Sequence, residues 1–188
     1  QSLNIGCFNI CSAVNKTGSI HSIINDFQLD ILALCETRIK PDDPPAIQDS
    51  PAPDGYCINH VHRNPSSDRP SGGGLALVYR NSLIIRPHPL ASTLSCTTFE
   101  LQLVKVTSTV PALTLANIYR PPQTSLPQFY TELADVLSVI VSATDRLFVC
   151  GDFNCPGDGP TSIDPGISAV FDSLNLEQHV CAPTRLDN

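Results

Sequence analysis

Three short runs constrain this chain more than anything else in it. Asp30–Cys35 (DILALC), Leu113–Ile118 (LTLANI) and Arg146–Cys150 (RLFVC) are apolar almost throughout. Runs this short cannot span a membrane. Their lack of polar alternation marks strands covered on both faces. Such strands need a packed layer above and another below, so the chain must fold in layers.

The remaining pattern supplies those layers. Ile20, Ile23, Ile24 and Phe27 recur at helical spacing, with Thr17 or Ser19 to cap. Ser125 caps a longer helix with Pro127 in its first turn and Phe129, Leu133, Val136, Leu137 and Ile140 as its stripe. Asp164 caps a third, with Pro165 in first position and Ile167, Val170, Phe171 and Leu174 inward. Further strands are expected at Leu3–Phe8, 56–61 and 74–80. Phe99, Leu101 and Leu103 alternate with Glu100 and Gln102, a half-exposed strand. Proline-rich residues 37–55 read as a long surface loop, and residues 62–73 as a polar one running into Gly72–Gly74. Strands and helices alternate at both ends, with antiparallel-looking strands between, which predicts an α/β layered domain with a mixed sheet.

At 188 residues this is a single domain, 1–188. With 41% hydrophobic and 15% charged residues it is not a disordered chain. The net charge of −7 lacks the basic footprint of a general nucleic-acid binder. A local basic groove or a cation site remains compatible with it. The eight cysteines form no CxxC pair and no zinc spacing, and Cys35 and Cys150 lie inside apolar runs. They are expected to be reduced core residues of an intracellular protein. The apolar stretch Leu133–Ala143 contains Asp135 and is too short to cross a membrane. The chain opens at Gln1 and holds no Met, so it reads as part of something longer.

The apolar strands end alike. The first stops at Asn9, DILALC at Glu36, LTLANI at Tyr119, and RLFVC runs through Gly151 into Asp152-Phe153-Asn154. Ligands of α/β sheets bind outside the carboxyl ends of the strands. Taken singly, each residue also reads as an ordinary strand end or turn. Converging on one rim, they suit a hard, oxygen-seeking cation and a phosphate bound to it.

Their order and wording resemble the endonuclease/exonuclease/phosphatase superfamily. The words are FNI at 8–10, CET at 35–37, IYRPP at 118–122 and GDFN at 151–154. The text between them (DILALCETRI, GGGLALVYR, TFELQL, FYTELADVLS, LFVCGDFN and the closing APT) resembles the abasic-endonuclease-like domains of LINE-type (non-LTR) retrotransposons, nearly end to end.

The resemblance implies a deoxyribonuclease I-like sandwich: two packed mixed β-sheets flanked by helices, in four layers. It implies Glu36 as ligand of a catalytic Mg2+ or Mn2+, with Asn9 beside metal and phosphate. Tyr119 would donate to the scissile phosphate, Asp152 would act as base toward the attacking water, and Asn154 would clamp the phosphate. Chemically, the metal neutralises phosphate charge, the carboxylate takes the proton of water, and neutral donors stabilise the transition state. Arg63, Arg69 and Arg120 are candidate DNA contacts, Arg63 and Arg69 from the 62–73 loop. Two departures stand out. Cys11 occupies the position where abasic-site enzymes carry Asp. The family's later Asp and its Ser-Asp-His word are not met before Asn188, so the domain is expected to be C-terminally truncated, without its final strands. Neither His179 nor Asp187 is assigned those roles.

The leading expectation is therefore a monomeric endonuclease domain of a retroelement polyprotein. It would nick target DNA in the nucleus to prime the reverse transcriptase of its parent chain. The alternatives are an inositol-phosphate or phospholipid phosphatase of the same fold, and a non-catalytic domesticated remnant.

Overall fold

The computed structural model describes residues 2–63, 72–155, 164–180 and 184. Among them, two four-stranded sheets are built from eight strands. The first sheet contains β1 (Ile5–Asn9), β2 (Ile31–Cys35), β3 (Tyr56–Val61) and β4 (Leu75–Arg80), in the order β1-β2-β4-β3. The second contains β5 (Ile85–Pro87), β6 (Glu100–Val106), β7 (Leu113–Tyr119) and β8 (Leu147–Asp152), in chain order. Both sheets are mixed: β1 and β2 run parallel, as do β7 and β8, and the other pairs are antiparallel.

Strand parity sorts the apolar residues into three larger cores and a small one of Cys35, Leu75 and Tyr119. In β2, Leu32 and Leu34 pack with Ile20 and Ile24 of helix α1 (Thr17–Asp26), while Ile31 and Ala33 face the other sheet. In β7, Leu113 and Leu115 face the seam between the sheets. Ala116 and Ile118 face the helices α3 (Leu126–Ser142) and α4 (Pro165–Ser173). Helix, sheet, sheet, helices is the expected four-layer order, and it explains why β2 and β7 are apolar on both faces.

Several details depart from the sequence reading. The 37–55 segment contains a short helix, α2 (Pro45–Gln48), and buries Thr37 and Ile39. Neither Thr17 nor Ser19 caps α1; Lys16 holds the cap position, and the Thr17 hydroxyl donates to Ser50 instead. Ser125 sits at the start of α3 without a side-chain capping bond. Asp164 does cap α4, accepting from the Ile167 amide at 3.0 Å. Strand β6 is not half-exposed: Gln102 is 1% exposed because the second sheet face meets the first. Its amide donates to Asn59, and its carbonyl accepts from Asn117, which also donates to the Leu34 carbonyl. A buried polar chain thus ties the two sheets together beneath the strand ends, with each member partnered as burial requires.

The seven described cysteines are free thiols. Mass spectrometry without reduction is expected to find all eight cysteines of the chain unpaired; two native disulfides would overturn the reading of a reducing compartment.

Candidate active site

The carboxyl ends of β1, β2, β7 and β8 meet at one rim because each sheet places a parallel pair there. Asn9 is the register partner of Cys35, and Tyr119 that of Asp152. The Asn9 amide is the hub between the sheets. Its Nδ2 donates to Glu36 Oε1 at 2.9 Å and to Asp152 Oδ2 at 2.6 Å. Its Oδ1 accepts from the Cys11 amide at 3.0 Å, which fixes which way the amide points. Two carboxylates from different sheets are thereby held within reach of one NH2 group.

The backbone at the rim is unusual. Of seven described non-glycine residues with positive φ, five lie here: Cys11, Ser12, Glu36, Arg38 and Asn154. Each such residue costs about 1–3 kcal/mol and persists only where its surroundings enforce it. They do so here. Ser12 and Ala13 donate backbone bonds to Glu36 and Thr37, and Thr37 and Arg38 donate to Gly74 and Gly73. Arg38 Nη2 also pairs with Glu36 Oε2 at 3.3 Å.

Burial pushes the Glu36 carboxyl up. Hydrogen bonds with Asn9 and Tyr119, and then Arg38, outweigh that, so its pKa lies below the ordinary carboxylate value and it is ionised at neutral pH. Tyr119 is 4% exposed. Burial first, and then the neighbouring Glu36, raise its pKa well above that of a free phenol, so it holds its proton and is a donor. Asp152 accepts with both oxygens, Oδ2 from Asn9 and Oδ1 from the Asn154 amide at 3.0 Å.

Asn154 reaches the rim, but its Nδ2 donates to the Arg120 carbonyl at 2.7 Å, tying the GDFN turn to the end of β7. Arg120 is not a DNA-facing cation. It is 3% exposed, and its guanidinium donates to the carbonyls of Phe153, Asn154 and Thr124 over the Phe129 ring. The chain turning back around the IYRPP word encloses it. Arg63 forms an ion pair with Glu100 at 2.5 Å and lies 6.0 Å from the Tyr119 ring centroid. Arg69 lies outside the described residues. Glu100 and Arg38 join the site only through the tertiary structure. The polar alternation in TFELQL marks Glu100 as a strand residue, and nothing local ties it to the rim.

The donor set suits a hard divalent cation. Among the described residues no three or more His, Cys, Asp and Glu side chains form a metal cage. Magnesium needs only one or two carboxylates, completed by water and substrate phosphate, and Glu36 is the residue that would supply one.

A model described as the Endonuclease/Exonuclease/phosphatase family matches residues 2–185. The chain belongs to this family. No curated protein matches it in sequence. Solved structures show the same fold at low identity. The endonuclease domain of TRAS1, a telomere-specific non-LTR retrotransposon, superimposes with a TM-score of 0.60 at 12% identity, over 89% of this chain and 68% of its own. The abasic endonuclease LMAP from Leishmania major does so with 0.64 at 11%, over 91% and 66%. The 3′ phosphatase NExo from Neisseria, bound to a product DNA hairpin, gives 0.58 at 18%, over 84% and 60%. The chain thus spans roughly two thirds of the length of these proteins. The family's hydrolytic nucleases and phosphatases share the deoxyribonuclease I-like sandwich described above.

Proposed function

We propose that this chain is the divalent-metal-dependent endonuclease domain of a non-LTR retrotransposon polyprotein. On this reading it nicks one strand of target DNA in the nucleus, leaving a 3′-hydroxyl that primes reverse transcription. The observation that carries the hydrolytic part is the Asn9 amide shared between Glu36 and Asp152. That arrangement, with the protonated Tyr119 opposite, presents charge and donors to a phosphodiester. The retroelement assignment is supported by the ordered words from FNI to APT and by the likeness in fold to the TRAS1 domain.

Glu36, with Asn9 beside it, would hold Mg2+ or Mn2+, which when bound would neutralise phosphate charge and polarise its oxygen. Asp152 takes the proton of the attacking water, and Asn9 orients both carboxylates. Tyr119 donates its hydroxyl to a phosphate oxygen as charge builds there. Asn154 and Arg120 keep the Asp152 turn in place. The net charge of −7 is compatible with this reading if basic segments elsewhere in the parent chain supply the DNA affinity.

The test is nicking of supercoiled plasmid by the full-length protein in magnesium, beside phosphate release from a 3′-phosphorylated oligonucleotide, inositol phosphates and phospholipid vesicles. Open-circle product with no phosphate release supports the endonuclease. Phosphate release without nicking would turn the reading to a phosphatase, and neither activity to a non-catalytic remnant.

A further inference from the structure

Glu100 opens β6 and so is not one of the residues at the carboxyl ends of strands, yet three connections lead from it into the site. It is the direct cross-strand partner of Tyr119. Its Oε1 accepts from the Arg63 guanidinium at 2.5 Å, and its Oε2 accepts from the Gly74 amide at 2.7 Å. The Gly73–Gly74 segment in turn accepts the backbone amides of Arg38 at 2.9 Å and Thr37 at 3.1 Å, the two residues after Glu36. A Cβ at Gly73 would overlap both Arg63 and Glu100, and one at Gly74 would meet Thr37 Oγ1 at 2.8 Å. Gly73 and Gly74 have positive φ, as do Glu36 and Arg38. A strained segment, Glu36–Arg38, is therefore pinned to a left-handed glycine pair and, through Gly74, to one carboxylate.

We propose that Glu100 is a positioning residue for both halves of the site: through Gly74 it holds Glu36 in its left-handed conformation, and through Arg63 it fixes a cation beside Tyr119. This rests on the endonuclease reading for its chemistry but not for its geometry. The Glu100 carboxylate does two separable jobs. The Gly74 arm needs only an acceptor oxygen. The Arg63 arm needs the negative charge, which holds the guanidinium near Tyr119 at 14% side-chain exposure.

The two arms predict different losses. In the full-length protein, Mn2+ binding is read by electron paramagnetic resonance without DNA, and kcat and KM by plasmid nicking. Glu100→Ala removes both arms and is expected to weaken Mn2+ binding about tenfold and lower kcat about a hundredfold, the range for partners that orient a metal ligand. Glu100→Gln keeps an oxygen for the Gly74 amide, so Mn2+ binding returns to within about threefold of wild type. Its neutral amide loses the ion pair, so kcat stays down about tenfold. KM is expected to change little in either variant. Circular dichroism and melting temperature confirm the fold, and the near-isosteric Gln variant carries the test if the Ala variant unfolds. A Glu100→Gln protein with wild-type kcat, or a folded Glu100→Ala protein with wild-type Mn2+ affinity, would overturn the proposal. If wild type binds Mn2+ but does not nick, the endonuclease reading fails, and the Mn2+ affinities of the two variants still judge the Glu100–Gly74 arm.

Discussion

Glu36→Gln in the full-length protein is expected to lower plasmid nicking in magnesium by about three orders of magnitude. A metal's stabilisation of transition-state charge is worth several kcal/mol, and each 1.36 kcal/mol is about a factor of ten. The substitution removes one charged ligand and, at Oε2, the ion pair with Arg38, whose half-exposed side chain can swing into solvent. The amide has the carboxylate's volume, and its oxygen still accepts from Asn9 Nδ2. The melting temperature is therefore expected to stay within about 4 °C of wild type. Asp152 is a poorer position for this test. Both its oxygens accept, from Asn9 and from the Asn154 amide, so an Asn there would point an NH2 group at a donor. Loss of activity would then mix chemistry with a disturbed turn. Undiminished nicking by Glu36→Gln, or full wild-type activity in excess chelator, would exclude the metal-dependent mechanism.

Gly151→Ala is expected to be the most damaging small substitution for folding. Gly151 pairs with Ile118 across the parallel β7–β8 ladder, at φ +143. A Cβ there would overlap the Ile118 backbone, its carbonyl oxygen first. Backbone cannot swing aside as a side chain does, so β8 must separate from β7, and Asp152 moves with it. Overpacking and positive-φ strain together set a loss of about 3–5 kcal/mol, a large share of a domain's stability of about 5–15 kcal/mol. Gly18→Ala is the control. It lies in the first turn of α1, nothing stands within 4 Å of its Cβ, and its φ is not positive. It is expected to gain about 0.5–1 kcal/mol. Urea denaturation of the two variants beside wild type checks both signs. A Gly151→Ala protein as stable as wild type would mean that β8 does not pair as described.

Tertiary packing decided which residues act through which others. The IYRPP word places Arg120 one residue beyond Tyr119, and by sequence it reads as a surface cation. Only the return of the GDFN turn against the end of β7 encloses it under three carbonyls. Strand β5 went unread because three residues ending in Pro87 carry too little pattern to register. Gln102 reads as solvent-facing because alternation reports polarity and cannot report a polar partner. Its partners Asn59 and Asn117 come from different sheets. Glu100, Arg63 and Gly74 are brought together by sheet packing across gaps no local rule spans.

The sequence by itself determined the layers and the strand ends. Continuous apolarity in β2 and β7 demands cover on both faces, and the polar residue after each run marks where that cover stops, whereas β8, equally apolar, is the outer described strand of its sheet and is buried only at Cys150. Glu36 and Tyr119 are therefore legible as strand ends in the sequence alone, and Asn9 and Asp152 by their place in the FNI and GDFN words. Burial is written locally, residue by residue, in the periodicity of the chain. Convergence is not, because it depends on how two sheets of fixed twist stack. That Asn9 of one sheet bridges a carboxylate of its own sheet to one of the other is a property of that stacking alone.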